Sequence, residues 1–316
     1  MVKTILIALG GNAIKKADEM GTAEQQFRNV KETCKHILEI IKRGYKVVIT
    51  HGNGPQAGNL LIQQEEASKL VPPQPLDVVG AMTQGQIGYM LQQTLITYLK
   101  KAGLNIPVAT VLTQVLVDKN DPDFMDPSKP VGPFYTKEEA ERLAKKKGYI
   151  IKKVRPVGEK AYRRVVPSPD PIAIIEQDVI KRLVDAGVIV IASGGGGISV
   201  IMKENGSLEG IEAVIDKNLA GERLAEVVNA DIFLILTDVE KVELNYRKPN
   251  EQDIDRMTLA EAQKYLKEGH FLLGSMKPKI IACIRFLESG GEKAIITSLN
   301  KAVEALEGKT GTLITK

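Results

Sequence analysis

Three lysines and three glycine-rich loops are the residues of this chain whose types and spacing suit them to chemistry. Lys129 lies in Ser128-Lys129-Pro130-Val131-Gly132-Pro133-Phe134-Tyr135, Lys217 in Val214-Ile215-Asp216-Lys217-Asn218, and Lys279 in Gly274-Ser275-Met276-Lys277-Pro278-Lys279. The glycines stand in Leu9-Gly10-Gly11-Asn12-Ala13, Thr50-His51-Gly52-Asn53-Gly54 and Ser193-Gly194-Gly195-Gly196-Gly197. Without a Cβ such loops can take positive φ and press main-chain N–H groups against an anion, and Asn12 adds a donor and an acceptor. Lys279, behind Gly274-Ser275 at the start of a predicted helix, and Lys217, between a strand and a helix, combine ammonium, helix dipole and free N–H groups, all of which favour a phosphate. The chemistry that needs only this equipment is phosphoryl transfer, which proceeds by positioning and charge neutralisation without an obligatory protein nucleophile.

Two other motifs fail on their context. Gly308-Lys309-Thr310 has the end of a Walker loop, but Val303 stands where that loop needs its first glycine. Gly52-Asn53-Gly54-Pro55-Gln56-Ala57 has the form of a dinucleotide fingerprint with Asp77 downstream. Asp77, however, follows Pro72-Pro73-Gln74-Pro75-Leu76 and not a second strand, and Pro55 falls inside the turn. His51 is open to two readings, lining the site or ordering its loop, while His36 and His270 read as structural. Cys34 and Cys283 sit far apart in separate helical patterns, which gives neither a redox pair nor a zinc set and fits a reducing compartment.

Composition narrows the partners. The 43 basic and 39 acidic residues leave a net charge of only +4, the basic residues are scattered, and aromatics make up 4% with no Trp, so no nucleic-acid footprint is expected. No apolar run approaches the ~20 residues of a membrane span, and Met1-Val2-Lys3 leads straight into the first strand, so a cytoplasmic protein without a membrane partner is expected.

The elements that must position these residues follow from periodicity. A chain of 316 residues exceeds the ~250–300 at which a single core stops growing, which predicts two lobes with a cleft between them. Strand-like runs at 5–9, 47–50, 108–113 and 188–192 alternate with helical patterns such as 22–43, which implies βαβ units and a mainly parallel sheet. The proline-rich stretch 118–171 reads as a small inserted subdomain, with strands at 149–154 and 162–166 and a helix opened by the capping box Thr136-x-x-Glu139. Beyond the glycine run, strands are expected at 200–202, 213–215, 232–237, 294–297 and 312–315. Helices are expected at 219–228 and 279–288 and after the capping box Thr258-x-x-Glu261. The lobes are drawn as 1–195, carrying the insertion, and 196–316.

Taken in order, Leu9-Gly10-Gly11-Asn12-Ala13, Thr50-His51-Gly52-Asn53-Gly54-Pro55-Gln56, Lys129-Pro130-Val131-Gly132-Pro133, Val166-Pro167-Ser168-Pro169, Ser193-Gly194-Gly195-Gly196-Gly197 and Val214-Ile215-Asp216-Lys217 resemble the motifs of carbamate kinases over nearly the whole chain. Relatives such as acetylglutamate kinase, aspartokinase and uridylate kinase lack the Lys-Pro-Val-Gly-Pro insertion and usually carry a lysine before the glycine pair, where this chain has Ala8. The resemblance implies the amino-acid kinase fold, an α/β, two-lobed, three-layer αβα sandwich. It implies reversible phosphoryl transfer between ATP and carbamate, Mg²⁺ travelling with ATP or ADP, small-molecule substrates and a homodimer.

The resemblance also implies roles. Gly10, Gly11, Asn12, Gly52, Asn53, Gly194, Gly195, Gly196 and Gly197, in the first lobe and at its boundary, would hold carbamate and the phosphoryl group. Lys129, Lys217 and Lys279 would contact phosphates, Lys129 making up for Ala8 by reaching in from the insertion, and Asp216 would support the lysines or the metal. Thr237, Asp238 and Tyr246 would join Lys217 and Lys279 around the nucleotide in the second lobe. Asn218 departs from the family's usual Asp-Lys-Asp, either serving Lys217 or capping a helix that starts at Leu219. The alternatives are another small-acid kinase of the same fold and a sensor that binds nucleotide and a small acid without turnover.

Overall fold

The first strand, β1 (Thr4–Leu9), is buried at every position. Ile5, Ile7 and Leu9 enter one core and Leu6 and Ala8 another, the two-residue alternation of a strand covered on both faces. In the computed structural model, which describes residues 2–246, 248–271 and 274–316, β1 lies inside an eight-stranded sheet. It is followed by α1 (Ala23–Lys42), β2 (Lys46–His51), α2 (Gly54–Glu66), α3 (Leu76–Lys101), β3 (Val108–Thr110) and β4 (Gln114–Val117). Next come β5 (Lys129–Tyr135), α4 (Lys137–Lys147), β6 (Ile151–Lys153), β7 (Tyr162–Val166), β8 (Pro171–Ile174), α5 (Gln177–Asp185), β9 (Ile189–Ile191), β10 (Ile198–Met202) and β11 (Leu208–Gly210). The remainder holds α6 (Lys217–Val227), β12 (Ile232–Thr237), β13 (Val242–Leu244), β14 (Gln252–Ile254), β15 (Arg256–Thr258), α7 (Leu259–Lys267), α8 (Met276–Glu288), β16 (Lys293–Ser298), α9 (Ala302–Leu306) and β17 (Thr312–Thr315).

The main sheet runs β15-β17-β16-β12-β1-β2-β9-β3, parallel throughout except between β16 and β17. Helices α1, α3 and α9 cover one face and α5, α6, α7 and α8 the other, so the expected three-layer αβα sandwich is present. Strands from before and after residue 195 are direct neighbours, since Ile5 to Leu9 of β1 pair in register with Ile232 to Leu236 of β12. A second sheet, β11-β10-β4-β8, stands beside the main one, and β5, β7 and β6 form an antiparallel sheet of their own with α4. The legs of this insertion are tied together, with Asp170 N–H donating to Asp121 at 3.0 Å and Ser168 N–H to Asp123.

The boundaries differ from the sequence reading in four places. The run 108–113 is not one strand, because the chain leaves the main sheet after Thr110 and enters the second sheet at Gln114. Residues 213–215 form no strand; Val214 N–H donates instead to Pro167 O at the foot of the insertion. Helix α8 starts at Met276 and not Lys279, because Ser275 is the residue flanking its start and Pro278 fits inside the first turn, where its missing N–H has no helical partner to lose. Helix α6 starts at Lys217 and not Leu219, because Asp216 is the N-cap and accepts from Asn218 N–H.

The distance between α3 and the sheet is set by Gly88, where a Cβ would stand 2.3 Å from Thr110 Cγ2. Gly88→Ala is therefore expected to destabilise the protein by about 1–3 kcal/mol. Gly58→Ala on α2, whose Cβ would meet nothing within 4 Å, is expected to be neutral or to stabilise by up to about 1 kcal/mol. Thermal denaturation of the two variants decides it, and equal melting temperatures would mean that the helix can move off the sheet freely.

Candidate active site

Because β12, β1, β2 and β9 are parallel neighbours, their carboxyl ends share one edge, the place where open α/β sheets bind ligands. The pairing continues into the loops, with Gly10 N–H donating to Leu236 O at 2.8 Å and Gly52 N–H to Leu9 O at 3.0 Å. Above this edge opens a cleft of about 380 Å³. Gly11, Gly52, Asn53 and Gly54 line it from β1 and β2, Gly195 and Gly197 from the loop after β9, and Lys129 and Arg163 from the insertion. The starts of α6 and α8 complete it with Asp216, Lys217, Asn218 and Lys279.

The glycines divide into two groups. Gly195, Gly196 and Gly197 follow one another at φ 69°, 97° and 85°, a path side chains rarely adopt. Gly10, Gly194 and Gly196 do not line the cleft; they let the backbone pass under neighbours, a Cβ at Gly194 standing 2.4 Å from His51 Nε2 and one at Gly196 2.2 Å from Ile215 O. Asn12 is exposed on the short turn Gly11–Ala13, also outside the lining. Asn53 flanks α2, its amide donating to Thr83 Oγ1 at 2.8 Å, and Pro55 occupies the first turn of α2, the physical reason the dinucleotide fingerprint fails.

His51 takes the loop-ordering role. It is buried, and burial with the nearby Lys217 pushes its pKa down to about 4, so the ring is neutral. Its Nδ1–H donates to Gly52 O at 3.1 Å, and the trans peptide then turns the Asn53 N–H the opposite way.

The lysines meet around one carboxylate. Lys129 Nζ lies 3.2 Å from Asp216 Oδ2, and Asp216 Oδ1 accepts from both Asn218 N–H and Asn218 Nδ2 at 2.9 Å. Asn218 in turn accepts from Lys217 Nζ at 2.9 Å, so it serves the lysine and is not the helix cap. Lys279 folds back to donate to Ser275 O at 2.9 Å. Burial alone would push the Asp216 carboxyl up, but Lys129, the Asn218 N–H and Lys217 outweigh it and hold it below its ordinary range. Burial and the like charge of Lys279 push Lys217 down to about 8 against the pull of Asp216, and burial lowers Lys279 while Asp216 and Asp238 oppose. Asp238 thus bears on both lysines. Thr237 ends β12 beside Gly10, and Tyr246 lies in the turn after β13; neither lines the cleft.

Arg163 escaped the sequence reading. It sits in the expected strand 162–166, but alternation alone does not tell which face of that strand looks into the cleft.

The amino acid kinase family model matches residues 3–298. The chain is 57% identical to the carbamate kinase of Thermococcus kodakarensis over 100% of both chains, and 56% identical to that of Pyrococcus furiosus over 99% of both. The structure of carbamate kinase from Giardia lamblia bound to AMP-PNP superposes with a TM-score of 0.93 at 45% identity, covering 100% of this chain and 99% of that one. Agreement of this extent, over the sheet edge that gathers the lysines, makes the chain a member of the amino acid kinase family, in its carbamate kinase branch.

Proposed function

We infer that the chain catalyses reversible phosphoryl transfer between ATP and carbamate, giving ADP and carbamoyl phosphate. The observation that carries this reading is the convergence of Lys129, Lys217 and Lys279, from three separate elements, on one cleft walled by glycine loops. No nucleophile is required of the protein, because charge spread over the moving phosphoryl group is met by positioned cations. The N–H groups of Gly11, Asn53 and Gly195 hold carbamate and the transferred group; Gly52 and Gly197, whose own N–H groups bond to Leu9 O and Gly194 O, wall the site, and Gly10, Asn12, Gly194 and Gly196 shape its loops. Lys129 closes over the phosphoryl group from the insertion, exchanging its contact with Asp216 for one with the substrate. Lys217 and Lys279 hold the nucleotide phosphates, and Thr237, Asp238 and Tyr246 border the rest of the nucleotide. Residues 1–195 thus serve the small acid and 196–316 the nucleotide. The AMP-PNP bound to the Giardia kinase supports the nucleotide half.

Magnesium enters with the nucleotide in this reading. Among the described residues no group of three or more His, Cys, Asp or Glu side chains could hold an ion unaided, which fits an ion carried by phosphate oxygens. When bound, the ion neutralises charge on the transferring phosphate. Cys34 and Cys283 are buried and free, which supports a reducing, cytoplasmic setting. A homodimer is supported by α3, which exposes Val78, Met82 and Tyr89, the last lining one groove with Thr110 of the edge strand β3 and the exposed Leu112.

Three outcomes test these readings. ATP is expected to form from carbamoyl phosphate and ADP in a coupled assay, and excess EDTA to abolish it. Lys129→Ala, Lys217→Ala and Lys279→Ala are each expected to lower turnover by roughly 10²-fold or more, with Lys277→Ala far milder. Undiminished rates in the three alanine variants would refute the site.

The pH profile follows from Lys217. With its pKa at about 8 in the free protein, its charge is lost as pH rises through that value, so kcat/KM is expected to fall above about pH 8. Bound phosphates hold the proton, so kcat stays level to higher pH. Because the folded state holds this charge less readily than the unfolded chain does, Lys217→Met should abolish turnover without lowering Tm at pH 7. A kcat/KM level to pH 10 would contradict the placement of Lys217.

For the assembly, light scattering on the purified protein should give twice the chain mass, and Met82→Glu with Tyr89→Glu should give a monomer. A dimer that survives both charges would place the interface elsewhere.

A further inference from the structure

We propose that Arg163 of the insertion is a fourth cationic contact for the cleft's phosphoryl ligand, and that the phosphoryl group it receives is that of the small acid. The inference rests on the activity inferred above and names a residue to which that reading gives no part. Arg163 lines the same cleft as Lys129 and Lys217. Its Nε and Nη2 both donate to one acceptor, Gly132 O, at 3.1 and 2.8 Å. Gly132 stands at φ 69° within the break in β5–β7 pairing between Val131 and Tyr135, so the left-handed turn presents its carbonyl to the guanidinium. The group is held a second time by the Phe134 ring, whose centre lies 5.0 Å from Arg163 and 3.7 Å from Arg155.

What this well-held guanidinium lacks is an anion. Among the described residues no carboxylate lies within ion-pair distance of Arg163, whereas Lys129 in the same cleft is met by Asp216. Burial, and after it the like charge of its neighbour Arg155, press Arg163 below the ordinary arginine range. Two N–H groups satisfy Gly132, and the guanidinium has five, so donors remain for a ligand. A half-buried cation beside a like charge is unfavourable until an anion arrives, and a fork held in plane by a carbonyl and a ring suits the oxygens of a phosphoryl group. The nucleotide also carries phosphates. The small acid is favoured because Arg163, Gly132 and Lys129 all belong to the insertion, while Lys217 and Lys279 lie in the first turns of helices of the other half.

The test uses the full chain with Arg163→Gln and Arg163→Lys. Expected is a rise of about tenfold or more in KM for carbamoyl phosphate in the glutamine variant, KM for ADP within twofold of the parent, and an intermediate value for the lysine variant. Inorganic phosphate should raise the Tm of Arg163→Gln clearly less than that of the parent, since Lys129, Lys217 and Lys279 remain. If the glutamine variant does not fold, the same readouts on Arg163→Lys decide. An unchanged KM for carbamoyl phosphate, or a rise confined to ADP, would overturn the proposal. If the parent turned over no carbamoyl phosphate, the activity would be refuted while weaker phosphate protection in the variant would still uphold the anion contact.

Discussion

A cleft made for phosphates is crowded with positive charge when nothing fills it, and one carboxylate holds this one together. Asp216 caps α6, ties Lys129 of the insertion to the body of the protein, and through Asn218 orders the ammonium of Lys217. The strength of such charge-assisted bonds in a partly dry site is what keeps Lys129 and Lys217 within reach of one ligand, while Lys279 is held by Ser275 O. Asn218 is matched to the task because its amide donates to Asp216 with one end and accepts from Lys217 with the other. An aspartate at that position would set a second carboxylate against Asp216 and raise the pKa of one of them.

The same logic extends outward to the foot of the insertion. Arg285 pairs with Asp170 at 2.7 Å and Arg223 donates to Pro171 O at 3.3 Å, so α8 and α6, which carry Lys279 and Lys217, also grip the return leg of the insertion, the one that follows β7, the strand paired with Lys129. Asp121 and Asp123 clasp that leg to its partner. The insertion is therefore held at its root by the elements whose tips face the ligand.

Much of this was legible in the sequence because it rests on local rules. Apolar runs ending in glycine marked β1, β2 and β9, and capping boxes marked α4 and α7. The starts of α6 and α8 were misplaced because Asp216 and Ser275 are recognisable as flanking residues only once the backbone is seen to turn there. The split of 108–113 between two sheets depends on partners far along the chain, Ile189 to Ile191 on one side and Ile198 to Val200 on the other. In the site, the lysines could be named from their loops. The packing duty of Gly194 and Gly196 could not, since it depends on His51 and Ile215 arriving from elsewhere, and nothing local distinguishes Arg163 from Arg164.

The hydrogen bond from Gly10 to Leu236 fastens the end of β1 to the end of β12, so the loop to which we assign the small acid and the strand end to which we assign the nucleotide belong to neighbouring strands. Neighbouring strands lie about 4.8 Å apart wherever they pair. The span the phosphoryl group must cross is thus ruled off by the backbone itself, like the gap between two rails. Side chains along the rails can be exchanged, and with them the cargo, but the gauge stays the same.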